Sequence, residues 1–102
     1  MHTDTLVAEK VAAALKALGR SRKAVAQALV KAGCKGEPSS TVRCPVAVYL
    51  RRKTGLTRTL DVGNSHVYIR GVICAKNPRP VSMLISAFDR GEFPELEKKK
   101  RR

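Results

Sequence analysis

At Gly55 the hydrophobic period of this chain changes, and that change restricts its fold more than any other feature. Before Gly55 apolar residues recur every three or four positions; over 56–75 they alternate. Val7, Val11, Ala14, Leu15 and Leu18 mark one face of an amphipathic helix over 3–18, which Thr3 or Asp4 can cap and Gly19 stops. Ser21 caps a second helix with an inner stripe of Val25, Leu29 and Ala32, and Gly33 ends it. A linker of about three residues makes these two helices a tight corner or hairpin.

Residues 34–43, CKGEPSSTVR, hold Gly, Pro and two Ser and are expected to form a loop. Cys44 and Pro45 open a third helix, because proline's missing N–H costs nothing at the first helical position. Val46, Tyr49 and Leu50 form its apolar stripe, and Gly55 stops it. Gly19, Gly33, Gly36 and Gly55 all read as helix stops.

From Leu56 to Val62 the alternation describes a strand. The Gly63-Asn64-Ser65 turn then leads into a second run from His66 to Cys74, with Gly71 as a bulge. Val81, Leu84, Ile85 and Phe88 line a last helix, and Pro94 with the charges beyond it predicts a disordered basic tail over 94–102. The expected fold is therefore α+β, with three N-terminal helices, a β-hairpin and a C-terminal helix in a single domain over 1–93. That order is the order of a winged helix-turn-helix module.

Charge decides what such a fold would meet. The chain carries a net charge of +13 over 102 residues, and eleven of its 21 bases lie between Lys16 and Arg58 with one acid, Glu37. Lys98, Lys99, Lys100, Arg101 and Arg102 add a basic end. A field concentrated in this way is the footprint of a protein that meets a polyanion, most often nucleic acid. In a winged helix-turn-helix reading Arg43 would reach base edges at the start of the third helix, and Arg51, Arg52 and Lys53 would reach phosphates. Arg58, His66 and Arg70 would line the wing, while Arg22, Lys23 and Lys35 would extend the cationic face.

Two features oppose that reading. A helix-turn-helix turn has about three or four residues, far fewer than the loop over 34–43. The third helix is also apolar through Val46, Ala47, Val48, Tyr49 and Leu50, which suits a core helix. An α+β domain with a basic face and no groove-reading helix stands beside the winged-helix reading. Aromatic content of 4% with no Trp leaves few platforms for stacking single-stranded bases, so DNA is favoured over RNA as partner.

Other function classes find little. Eight acids and two histidines are a thin supply of general acids and bases, and no phosphate loop or catalytic triad is present, so the chain is not read as an enzyme. Three cysteines without a secretory signal suggest reduced thiols in a cytoplasmic protein. Cys34 and Cys44 are too far apart for a usual zinc pair, and neither metal nor other cofactor is expected. Cys44, at a helix start beside Arg43, is where a thiol pKa would be expected to fall. No apolar run approaches the roughly 20 residues that span a bilayer, so no membrane partner is expected.

The runs VRCPVAVYLRR and SAFDRGEFPEL resemble segments of short proteins of actinobacteria and their phages, with a Cys-Pro helix start and a closing Phe-Asp-x-Gly-x-x-Pro segment. The resemblance implies a bacterial or phage origin and carries no activity with it. It raises a second functional expectation beside a DNA-binding regulator. This is a phage or mobile-element inhibitor of a host or defence nucleoprotein complex, such as an RNA-guided nuclease, in the manner of an anti-CRISPR protein.

Overall fold

The computed structural model describes the backbone of residues 2–55 and 60–98, and side chains from Val7 onward within them. Four α-helices, α1 (His2–Ala17), α2 (Arg22–Lys31), α3 (Pro45–Thr54) and α4 (Arg79–Asp89), accompany three strands, β1 (Leu60–Val62), β2 (His66–Ile69) and β3 (Val72–Lys76). The class is α+β, as the change of period requires.

Local signals act where they were expected. The Ser21 side chain accepts from Ala24 N at 3.1 Å and starts α2. Cys44 is the N-cap of α3, its sulfur accepting from Ala47 N at 3.4 Å, with Pro45 in the first turn. Gly55, at φ 77°, ends α3 in the left-handed conformation that glycine adopts without steric cost.

The β segment differs from a single hairpin. Three antiparallel strands run in the order β1-β2-β3, because the chain reverses at Arg70 and Gly71, with φ of 55° and 78°. Positive φ at both central residues gives a two-residue turn the twist that joins antiparallel strands. Gly71 is thus part of a turn, and the irregularity in the sheet lies elsewhere. Val67 pairs with Ala75 but Tyr68 pairs with Ile73, leaving Cys74 as the extra residue of a bulge.

α1 packs against β3 and α3 against β1, while α2 packs against α4. Their apolar stripes meet in one core, in which Leu15, Leu29, Val46, Leu50, Leu60, Val67, Leu84 and Phe88 are all buried. Asn77, polar and buried, ties the β1–β2 turn to the segment that leads into α4. Its Nδ2 donates to Gly63 O at 2.8 Å and Asn64 O at 3.2 Å, and its backbone N donates to Ser65 O.

The expected disordered tail begins too early. Pro94–Leu96 form a 3₁₀ turn with Leu96 fully buried, and Gly36 N donates to Leu96 O at 2.9 Å while Lys98 N donates to Gly36 O at 2.8 Å. The C-terminal segment is strapped to the loop before α3. Gly36 is accordingly no helix stop: a Cβ there would lie 2.0 Å from Arg43 O, so the close crossing of two backbones requires glycine. Residues 99–102 lie outside the described residues.

Candidate nucleic-acid interface

The end of α2 and the end of α3 meet at a cationic corner. Ala32 caps α2, Gly33 turns the chain at φ 72°, and Cys34 is drawn into the core. The carbonyls left free at the helix end form its negative pole. Arg52 answers them from the last turn of α3, with Nη1 donating to Ala32 O at 2.8 Å and lying 3.6 Å from Cys34 Sγ. Lys53 follows, its amine 5.6 Å from the centroid of the Tyr49 ring. Lys31 and Lys35 flank Cys34 in sequence and are exposed. Burial pushes the Cys34 thiol above its ordinary pKa, and the charges of Arg52 and Lys53 pull part of that rise back. Of the expected contact residues Arg52 and Lys53 are thus brought to Cys34, Lys35 follows Cys34 in the chain, and Lys31 lies in the last turn of α2.

Other expected contact residues are engaged elsewhere. Arg51 is half-buried, and its Nη2 donates to Val42 O and reaches Leu60 O at 3.5 Å, which ties α3 to the preceding loop and to β1. A guanidinium held in that way is a structural tie, against the expectation of a free phosphate contact. Arg43 is exposed and lies 3.6 Å from Glu37. Arg22 lies 3.8 Å from Glu92, which also pairs with Arg90 at 2.8 Å, so this end of α2 faces the end of α4. Lys23 is exposed on α2. His66 and Arg70 stand at opposite ends of β2, away from each other. Arg58 lies outside the described residues.

The burial of α3 bears directly on groove reading. Pro45, Val46, Ala47, Tyr49 and Leu50 are buried, and its cations begin only at Arg51. A recognition helix presents its first turns to base edges; here those turns are core. The α+β class stands, while the exposed cations of α3, Arg52 and Lys53, lie only in its last turn.

Cys44 departs from expectation for the same reason. Its thiol is pushed up to about 11, chiefly by burial, and the backbone N–H groups of Ala47 and Val46 offset only part of that rise. Desolvation outweighs the helix end and Arg51, so Cys44 caps the helix as a packed thiol that stays neutral. Among the described residues no group of three or more His, Cys, Asp or Glu is placed to hold a metal ion.

The outer face of the sheet contains residues that sequence reasoning did not join. His66 and Tyr68 point away from the core side of β2, with ring centroids 6.4 Å apart and planes tilted by 55°. Ile73 stands opposite Tyr68 and Lys76 opposite His66. In an unbroken strand residues 73 and 76 would face opposite sides; the bulge at Cys74 puts both on one face. The alternation that relates His66 to Tyr68 was available in the sequence, but the bulge was not.

No family model matches the chain, and no significant match to a curated protein or a solved structure was found. No helix among the described residues is long and apolar enough to cross a membrane.

Proposed function

We propose that the protein binds nucleic acid through phosphate contacts from the corner where α2 and α3 end, without base reading by α3. The observation that carries this reading is that Arg52 and Lys53 of α3 reach Cys34, just past the end of α2, where Lys31 and Lys35 are exposed, in a chain of net charge +13. Arg52 is held in place by its bond to Ala32 O, which lowers the entropy lost when the corner meets a ligand. Several of the chain's acids are already engaged: Glu37 with Arg43, Glu92 with Arg22 and Arg90, and Asp89 with Ser39 N.

A polyanion that contacts about four such cations releases counterions, and log affinity for duplex DNA should fall with log salt at a slope of about −3 to −4. The double charge reversal Lys35→Glu with Lys53→Glu should lower affinity for a 20-base-pair duplex by at least about ten-fold and flatten that slope. Affinity that does not change with salt would reject the reading. Salt-insensitive, stoichiometric capture of one protein from a nuclease-treated host lysate would favour an inhibitor of a nucleoprotein complex instead.

A further inference from the structure

The outer face of the β-sheet has the parts of a stacking platform, and we propose that it binds single-stranded nucleic acid by stacking bases on Tyr68 and His66. This rests on the reading of the protein as a nucleic-acid binder and names the form of nucleic acid it takes. Three observations support it.

First, the rings are adjacent, partly exposed and held. Ser65 Oγ lies 2.9 Å from His66 Nδ1, and Tyr68 Cε1 would be 3.5 Å from a Cβ at Gly63, so the tyrosine ring lies over a residue with no side chain to displace it. Asn77 in turn holds the turn that carries Gly63 and Ser65. Rings fixed before binding lose little entropy on stacking.

Second, the platform continues across the sheet into apolar surface. Ile73, directly opposite Tyr68, is 58% exposed. Every base has an apolar face that can lie on such a surface without regard to sequence.

Third, the charge around the rings has the sign that phosphates need. Lys76 stands opposite His66, and an open cleft of about 540 Å³ lined by Lys76, Asn77, Pro78, Arg79 and Ser82 begins there. Arg70 closes the far end of β2. Asp61, opposite Tyr68 on β1, is the acid on this face, and it directs the phosphate path over β3 and away from β1. Bases on the rings with phosphates beside Lys76 and Arg79 make the arrangement of a single-strand groove, in which aromatic platforms alternate with cations. A duplex cannot use the rings, because its bases are already stacked.

The test compares a fluorescent 15-nucleotide oligothymidylate with a 15-base-pair duplex, against wild type, Tyr68→Ala, Tyr68→Phe and Lys76→Ala. Tyr68→Ala should weaken single-strand binding about ten-fold, leave the salt slope unchanged and leave duplex binding unchanged. Tyr68→Phe, which keeps the ring, should bind within about two-fold of wild type, and Lys76→Ala should reduce the single-strand salt slope by about one. In wild-type protein the Tyr68 ring proton resonances should move upfield as oligothymidylate is added, a readout that does not depend on any variant folding. Single-strand affinity unaffected by Tyr68→Ala, equal losses for single strand and duplex, or unmoved Tyr68 resonances would each overturn the platform. If those outcomes appear while duplex binding remains steep in salt and sensitive to Lys35→Glu with Lys53→Glu, nucleic-acid binding stands and the platform alone falls. If neither nucleic acid binds, both fall.

Discussion

Arg52 donates to the carbonyl oxygen of Ala32 at 2.8 Å, so a cation on the last turn of α3 closes the end of α2. Arg51 beside it points inward to Val42 O and Leu60 O. These neighbours differ in what they hold. Arg52→Ala should cost about 1 kcal/mol, the worth of an exposed charge-assisted bond at a helix end. Arg51→Ala should cost about 2 kcal/mol or more, because two carbonyls lose a donor and the loop before α3 loses its tie to β1. Urea melts of the two variants rank them. A larger loss for Arg52→Ala would contradict the geometry, and any binding defect of Arg51→Ala must be measured where it is still folded.

Gly36→Ala tests the strap between the loop and the C-terminal segment. The added methyl would meet Arg43 O at 2.0 Å and the Cys44 and Pro45 backbone at 2.7 Å, and none of these is a flexible side-chain end. A loss of at least about 2 kcal/mol is expected, in the class of backbone clashes that exceed ordinary surface changes. Faster hydrogen exchange at the Lys98 amide, which donates to Gly36 O, should accompany it.

Tyr49 separates core from interface on α3. It is 8% exposed and belongs to the core, with Lys53 over its ring. Tyr49→Ala should cost about 3 kcal/mol or more, whereas Tyr49→Phe should cost well under half of that. A denaturant melt of both variants decides it. An unchanged melt for Tyr49→Ala with lost nucleic-acid binding would show that α3 faces its partner by the side placed here in the core.

Cys44 predicts a loss of stability in alkali. Its thiol is held up to about 11 in the folded protein against an ordinary value of 9.0, so folding favours the neutral form. Stability from this group is complete below pH 9 and is lost as pH rises towards 11, because the unfolded chain ionises first. The full difference is about 2 to 3 kcal/mol. Cys44→Ser keeps an acceptor for Ala47 N and removes the titration. Melts at pH 8 and pH 10.5 should show a steeper decline for wild type than for Cys44→Ser, and parallel declines would refute the assignment.

The elements that were legible in the sequence depend on neighbours within a few residues. Ser21 caps α2, Cys44 and Pro45 open α3, and Gly55 closes it, because each signal concerns backbone groups one turn away. The changes of period likewise predicted three helices before Gly55, strands over 56–75 and a helix after them, since burial of one face imposes its spacing on the chain. Core residues such as Leu15, Leu29 and Leu50 follow from the same spacing.

Net charge and its concentration before residue 58 are properties of the sequence alone, and they are the reason to test a polyanion as partner. Which cations remain available was decided by the tertiary structure. Arg51 and Arg52 stand side by side in sequence, yet carbonyls from other elements hold them in different ways, and only packing brings those carbonyls near. Gly36 and Leu96 meet across most of the chain, which turned an expected tail into part of the fold. The bulge at Cys74 put Ile73 and Lys76 on the face of Tyr68 and His66. Spacing along a chain determines which local elements form, whereas a side chain's final partner depends on contacts between distant segments, and those exist only once the core has closed.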